Sequence, residues 1–117
     1  MKVLLLEENS VVRNLIRRVV ASPGTWIQEC DDAAQAIAAY AAGRPDFVIM
    51  DTGTKCPDGI AVSRQIKAMD PTARIVLVSD YDDAIMRESA RRAGACGYVL
   101  KDNLLEIADL LKTTKGD

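Results

Sequence analysis

Residues 47–55 read FVIMDTGTK, an apolar run that ends at Asp51 and gives way to a small, polar stretch. A short, continuous apolar run is typical of a strand buried on both faces, as in a parallel sheet. An aspartate at the end of such a strand suits three kinds of chemistry: half of the carboxylate dyad of an aspartic protease, a nucleophile in a phosphate-handling enzyme, or a phosphoryl acceptor. It can also do no more than open a turn. The composition and the remaining motifs of the chain are needed to decide between these alternatives.

The composition indicates a single, ordinary globular domain. The chain has 117 residues, of which 49% are hydrophobic and 27% charged, with a net charge of -2. This length can enclose a core without disulfides. Basic residues are dispersed, which argues against a nucleic-acid surface, and no apolar run approaches the ~18 residues of a membrane span. The N-terminal apolar run is too short for a signal peptide. We therefore expect one domain over residues 1–117, in the cytoplasm, with no membrane or direct nucleic-acid partner.

The sequence contains no histidine, which excludes Ser-His-Asp and Cys-His catalysis within this chain. The three cysteines, Cys30, Cys56 and Cys96, are far apart and form no zinc-binding pattern, so we expect reduced thiols. Any phosphohistidine chemistry must therefore use a histidine of a partner protein.

Short apolar runs alternate with helical patterns five times along the chain. The runs predict strands near residues 2–6, 25–30, 46–50, 73–79 and 96–100. Apolar spacing predicts helices near 11–21, 32–42, 60–69, 82–95 and 104–112. We expect Asn9 or Ser10 to cap the first helix, Asp82 the fourth, and Asp102 or Asn103 the last.

This alternation predicts an α/β fold. Right-handed crossovers leave few topologies, and we expect a flavodoxin-like, doubly wound sheet of five parallel strands in the order 2-1-3-4-5, with helices on both faces. Residues 112–117 are expected to begin a linker or a disordered tail.

Polar residues follow four of the predicted strands and should meet at one rim of the sheet. Glu7 and Glu8 follow the first strand, Asp51 the third, Ser79 the fourth and Lys101 the fifth. The carboxyl ends of parallel strands form the ligand crevice of such folds. Three carboxylates gathered there would raise one another's pKa and favour a hard divalent cation, for which Mg²⁺ is the natural choice. The hydroxyl and the ammonium group suit a phosphoryl group.

At this point the chain resembles the receiver domain of two-component response regulators over essentially its whole length. The residues that carry the resemblance are Glu7-Glu8, Asp51 closing FVIMD, Asp58-Gly59 opening the third helix, Ser79 closing IVLVS, and Lys101 in GYVLKD. The stretches SDYDD (79–83) and AGACGYVLKD (93–102) are most similar to the NarL/FixJ, or LuxR-type, subfamily.

The resemblance implies a phosphoryl-accepting signalling domain, not a conventional enzyme. Asp51 would take a phosphoryl group from a sensor histidine kinase. Mg²⁺ would be bound by Glu7, Glu8, Asp51 and the backbone carbonyl of Gly53.

The same resemblance implies a switch and an output surface. Ser79 and Lys101 would bind the phosphoryl oxygens, and Tyr98 would turn inward as Ser79 moves. The face of the fourth helix, fifth strand and fifth helix would then engage partners or a second receiver. The apolar residues of the last helix cover a wider face than packing against the core requires, so we expect some of them to be exposed to solvent. A helix-turn-helix DNA-binding module usually accompanies this subfamily, so we expect an effect on transcription.

Four positions depart from the usual receiver pattern. Glu8 stands where aspartate is common, Thr54 and Lys55 replace an apolar residue and a proline, and Asp80 follows Ser79 in place of a small residue. A carboxylate at position 80 would oppose an incoming phosphoryl group. A degenerate receiver that acts as a protein-interaction module is therefore an alternative.

Two further alternatives are weaker. The DTG at 51–53 matches aspartic proteases, but those are all-β, whereas this chain has five helical patterns. No glycine-rich phosphate loop follows the first strand, which argues against a nucleotide-binding module.

Overall fold

The computed structural model describes residues 1–53 and 58–113. Strands and helices alternate five times. The strands are β1 (Lys2–Leu6), β2 (Trp26–Cys30), β3 (Phe47–Asp51), β4 (Ile75–Ser79) and β5 (Gly97–Leu100). The helices are α1 (Ser10–Val20), α2 (Ala33–Gly43), α3 (Gly59–Met69), α4 (Ala84–Arg92) and α5 (Glu106–Thr113).

The five strands form one parallel sheet in the order β2-β1-β3-β4-β5, which confirms the predicted flavodoxin-like topology. The register aligns Leu6 with Met50, Asp51 with Val78, and Ser79 with Leu100. These pairings bring the carboxyl ends of the four strands β1, β3, β4 and β5 to the same rim. The helices exclude the all-β architecture of an aspartic protease.

Two apolar layers cover the sheet, which explains why the central strands are continuous apolar runs. Every residue of β3 and β4 is buried. Alternate residues face opposite layers, so that Leu4 and Leu6 of β1 pack in one layer while Val3 and Leu5 pack in the other. The first layer includes residues of α2, α3 and α4, and the second includes residues of α1 and α5.

Helix boundaries agree with the sequence prediction at α1 and differ at α4 and α5. Asn9 caps α1, because its side chain accepts hydrogen bonds from the amides of Val11 and Val12. The prediction of Asp82 as the cap of α4 is wrong. Asp83 caps that helix, and Asp82 instead pairs with Arg87 at 2.8 Å. The helix therefore begins one residue later than a cap at position 82 would place it.

The last helix begins at Glu106 rather than at position 104. Short backbone hydrogen bonds lead into it, from the amide of Ile107 to Leu104 and from Ala108 to Leu105. The prediction of Asp102 or Asn103 as its cap is therefore wrong. The helix extends to Thr113, and residues 114–117 lie outside the described residues, so the expectation of a linker or tail from residue 112 stays a prediction. In the described part of the chain, no helix combines the length and the apolar character needed to cross a bilayer.

Candidate functional site

The carboxyl rim of the sheet holds four of the polar residues that the sequence indicates. Asp51 and Ser79 are the last residues of β3 and β4, while Glu7 and Lys101 directly follow β1 and β5. Backbone hydrogen bonds fix these strand ends, since the amide of Lys101 donates to the carbonyl of Ser79 at 2.8 Å. Each side chain is thus positioned by the sheet itself rather than by a loop.

Asp51 lies at the centre of this rim and is nearly enclosed, with 8% of its surface exposed. Its Oδ1 accepts a hydrogen bond from the amide of Gly53 at 2.9 Å, and its Oδ2 accepts one from Lys101 Nζ at 3.2 Å. The first residue of α3, Gly59, packs against this strand end. A Cβ at position 59 would collide with the backbone carbonyl oxygen of Asp51, so the close approach of α3 requires glycine.

Glu7 is buried beside Asp51 and keeps one carboxylate oxygen without a donor. Its Oε2 accepts a hydrogen bond from the amide of Asn9 at 3.0 Å. Its buried Oε1 receives no hydrogen bond from the described residues, although Lys101 Nζ lies 3.5 Å away as an ion-pair partner. Burial raises the pKa of Glu7, and the charge of Asp51 raises it further, against the lowering effect of the Asn9 amide and of Lys101. A buried carboxylate in this condition favours an added cation.

One ammonium group faces three carboxylates. Lys101 Nζ lies 3.2 Å from Asp51, 3.5 Å from Glu7 and 3.6 Å from Asp80. Burial lowers the pKa of Lys101, but the three carboxylates outweigh burial, so that the net shift is upward. Lys101 is therefore a permanent cation at neutral pH, and the cluster it joins remains negative overall.

The pairing of Asp80 with Lys101 was missed by sequence reasoning, which predicted only that Asp80 would repel a phosphoryl group. A signal for it exists in the strand order. Ser79 pairs with Leu100 across β4 and β5, so the next residues along each strand, Asp80 and Lys101, emerge side by side.

Glu8 does not join the cluster. Its side chain is exposed, and the described residues contain no group of three or more Asp, Glu, Cys or His residues arranged to hold a metal ion. The three carboxylates gathered around Lys101 are therefore those of Glu7, Asp51 and Asp80, not the expected set of Glu7, Glu8 and Asp51. Of the two adjacent glutamates that follow β1, Glu7 is buried and Glu8 is exposed. The metal-binding roles of Glu8 and of the Gly53 carbonyl stay predictions, and Thr54 and Lys55 lie outside the described residues.

Ser79 and Tyr98, the two expected switch residues, are connected through the backbone of Tyr81. Ser79 is completely buried, and its Oγ accepts a hydrogen bond from the amide of Tyr81 at 3.1 Å. The hydroxyl of Tyr98 donates to the carbonyl of Tyr81 at 2.8 Å. Arg87 lies over the Tyr98 ring at 4.8 Å from its centroid, while Asp82 holds Arg87. Nothing in the sequence pattern predicts this Arg87 contact, which depends on how α4 packs beside β5.

These features agree with the comparison to known families. The chain belongs to the response regulator receiver domain family, whose model matches residues 3–114. Receiver domains are signalling domains of two-component systems, generally without enzymatic turnover, and they interact with histidine kinases.

The relatives include both single receivers and longer regulators. The chain is 30% identical over 100 residues to the chemotaxis protein CheY of Halobacterium salinarum, covering 86% of this chain and 83% of that protein. It is 28% identical to the response regulator MprA of Mycobacterium leprae, covering 100% of this chain but only 54% of MprA.

Solved structures support the same conclusion. A LuxR-family two-component response regulator from Aurantimonas sp. SI85-9A1 is 31% identical, with a TM-score of 0.86 over 95% of this chain and 81% of that one. A chain of the CheX–CheY–BeF3–Mg²⁺ complex from Borrelia burgdorferi superposes with a TM-score of 0.89 at 18% identity, covering 100% of this chain and 90% of that one. The second similarity concerns the fold alone.

Proposed function

We propose that Asp51 accepts a phosphoryl group from the phosphohistidine of a sensor histidine kinase. An oxygen of the Asp51 carboxylate attacks phosphorus, a P–O bond forms, and the P–N bond to the partner's imidazole breaks with its electron pair returning to nitrogen. The observation that carries this proposal is the Asp51 carboxylate at the rim, 3.2 Å from the ammonium group of Lys101. That arrangement places a nucleophile beside a fixed cation, which stabilises charge as it develops.

Lys101 and Ser79 have complementary roles in this proposal. Lys101 already donates to Asp51, so it can move its donors to the phosphoryl oxygens with little displacement. Ser79 accepts from the Tyr81 amide, and a hydroxyl that accepts still has its own hydrogen to donate. A rotation of Ser79 toward the phosphoryl group would break its hydrogen bond to the Tyr81 amide. Because the Tyr81 carbonyl also accepts from Tyr98, this rotation would shift the loop before α4 and the Tyr98 side chain on β5.

The residues present fit a divalent metal ion. Glu7 and Asp51 are neighbouring carboxylates, one of which has a buried oxygen without a donor, and hard oxygen ligands are those that Mg²⁺ takes. We propose that Glu7, Asp51 and the carbonyl of Gly53 hold Mg²⁺, with the exposed Glu8 adding charge. Bound Mg²⁺ supplies positive charge that offsets the phosphoryl oxygens.

The test of this function is phosphorylation followed by intact mass. With acetyl phosphate and Mg²⁺ the parent protein should gain the mass of one phosphoryl group, and Asp51→Asn should gain none, because the amide lacks the nucleophilic carboxylate. Asp58→Asn makes the same change at the exposed residue that caps α3, where asparagine caps equally well; it is the matched control and should still be modified. Modification of Asp51→Asn to the same extent as the parent would show that another residue is the acceptor.

We further propose that the output acts through the face of α4, β5 and α5, by homodimerisation, and on transcription through a DNA-binding module outside this sequence. The match to only 54% of the response regulator MprA, a longer protein, supports the presence of a further module. Residues 114–117 would begin the linker, and the domain would work in the cytoplasm, where sensor kinases present their phosphohistidine. Sequencing the reading frame beyond position 117 tests whether such a module follows.

A second candidate is a degenerate receiver that acts as a protein-interaction module without phosphorylation. The ion pair of Asp80 with Lys101 favours it, because it occupies the cation that a phosphoryl group requires. Failure of the parent protein to gain mass at saturating Mg²⁺ and acetyl phosphate would select this candidate.

A further inference from the structure

Asp80 contacts the same ammonium group as the acceptor aspartate. Its Oδ2 lies 3.6 Å from Lys101 Nζ, and its side chain is 64% exposed, whereas the side chain of Asp51 is 11% exposed. Asp80 is therefore the carboxylate of the cluster that can turn into solvent, while Asp51 and Glu7 are held in place by backbone amides.

The contact follows from the backbone and not from a chance side-chain position. Asp80 and Lys101 directly follow the paired residues Ser79 and Leu100, and the Lys101 amide bonds to the Ser79 carbonyl at 2.8 Å. The short aspartate side chain at this register brings Oδ2 to 3.6 Å from Lys101 Nζ. Lys101, which is 14% exposed, has little freedom to move away.

We propose that Asp80 is a positioning residue that competes with the phosphoryl group for Lys101 and so sets how tightly the site binds a phosphoryl-type anion. The inference rests on the proposed roles of Asp51 and Lys101 and adds a residue that sets the affinity of their site for the anion. An ammonium group has three hydrogens to donate, and three carboxylates surround this one. Lys101 donates a hydrogen bond to Asp51 and attracts Asp80 as an ion-pair partner at 3.6 Å. A phosphoryl group on Asp51 needs the charge of the same ammonium group, so Asp80 competes with it for Lys101.

Asp80 could weaken anion binding in two ways, by competing for Lys101 or by repelling the anion directly, and the two give different results when Lys101 is removed. If Asp80 acts through Lys101, neutralising Asp80 changes anion affinity only while Lys101 is present. If Asp80 acts by direct repulsion, the change persists without the lysine. A double-mutant cycle separates these two routes.

The experiment measures the dissociation constant of beryllofluoride, a phosphoryl-type anion, at saturating Mg²⁺ by fluorine NMR. Asp80→Asn should bind about two- to fivefold more tightly than the parent, the range expected for a solvent-exposed ion pair. The gain should shrink at high ionic strength, because salt screens exposed charges. Asp102→Asn removes the same charge from an exposed residue next to Lys101 and should bind like the parent. Asp80→Glu, which keeps the charge, should stay closer to the parent than Asp80→Asn does.

The second arm repeats the Asp80→Asn measurement in a Lys101→Ala background, where the two proteins should bind with equal affinity. A gain of the same size in both backgrounds would assign the effect to direct repulsion and overturn the proposal. Equal affinity of the parent and Asp80→Asn, in proteins that acetyl phosphate modifies normally, would overturn the proposal and leave the proposed function intact. A parent that neither binds beryllofluoride nor gains a phosphoryl group would overturn both.

Discussion

Lys101 dominates the electrostatics of the rim, because its ammonium group forms ion pairs with Glu7, Asp51 and Asp80. Three carboxylates share this one ammonium group, and burial, followed by the charge of Asp51, raises the pKa of Glu7. A phosphoryl group would add negative charge to this cluster. The residues by themselves therefore explain why a receiver of this composition should depend on an added divalent cation.

We expect substitutions of Glu8 to change the Mg²⁺ concentration that phosphorylation requires. Its side chain is exposed and one methylene longer than the aspartate usual in receivers, so its carboxylate should contribute to Mg²⁺ binding weakly. We expect Glu8→Asp to lower the Mg²⁺ concentration for half-maximal phosphorylation by roughly two- to fivefold, the scale of one solvent-exposed charge. The measurement is the initial rate with acetyl phosphate across a Mg²⁺ series.

Glu8→Gln is the matched control for this prediction, since it keeps the length and removes the charge. It should raise the Mg²⁺ requirement. If the parent, Glu8→Asp and Glu8→Gln share one Mg²⁺ dependence, position 8 takes no part in metal binding.

At the scale of elements, Asp70 connects α2 to the turn between α3 and β4. This turn lies at the end of the sheet opposite the carboxyl rim. Its carboxylate accepts hydrogen bonds from the hydroxyl of Thr72 at 2.6 Å and from the hydroxyl of Tyr40 at 2.7 Å. Arg44, the left-handed residue that ends α2, pairs with it at 3.0 Å. The bonds from Thr72 and Tyr40 lower the pKa of Asp70.

The lowered pKa predicts a pH-dependent contribution to folding stability. A carboxyl group whose pKa is lower in the folded than in the unfolded protein stabilises the fold above its unfolded pKa, and this stabilisation is lost as pH falls toward the folded pKa. We therefore expect Asp70→Asn to unfold more easily than the parent at neutral pH, with a difference that is constant above about pH 5 and shrinks below about pH 4. Urea unfolding across this pH range measures it.

The control is Asp109→Asn, which makes the same charge change on an exposed residue of α5 and should give no such profile. A difference between the parent and Asp70→Asn that stays constant down to pH 2.5 would mean that the Asp70 carboxylate does not stabilise the fold through its charge.

At the scale of the whole molecule, one edge of the sheet offers an apolar surface for a partner. Ile85 on α4 is 77% exposed and Tyr81, in the preceding loop, is 66% exposed. The Tyr81 backbone also bonds to Ser79 and Tyr98. Tyr81 therefore connects this surface to the proposed acceptor site. The expected exposure around the last helix is found at Leu105, whereas Leu104, Ile107 and Leu111 are buried.

This edge predicts dimerisation that depends on the state of Asp51. With beryllofluoride and Mg²⁺, we expect the parent to shift toward a dimer in sedimentation analysis. Ile85→Ser should weaken that dimer by about tenfold, the effect of removing a central interface side chain. Val11→Ser changes an equally apolar, 67% exposed residue on α1 and should leave the dimer unaffected. A dimer that Val11→Ser weakens and Ile85→Ser preserves would place the interface on α1 instead.

The amino-acid sequence by itself determined the strands, their order and the site residues that follow them directly. FVIMD and IVLVS are apolar at every position but the last, and such short runs are typical of strands covered on both faces. Once the strands are parallel, their carboxyl ends must share a rim, so Glu7, Asp51, Ser79 and Lys101 come together for a reason that is visible in the sequence. The family resemblance rested on the same residues.

Tertiary structure alone decided the features that depend on contacts between separate segments. The Asp80 ion pair with Lys101 required the register of β4 against β5, and the Tyr98 contact with Arg87 required the packing of α4. The burial of Glu7 and the exposure of Glu8, two adjacent glutamates, also depended on how the end of β1 packs. Periodicity records which face a residue takes, but it does not record which neighbour on that face a side chain meets, because rotamers and register are set by the packed structure.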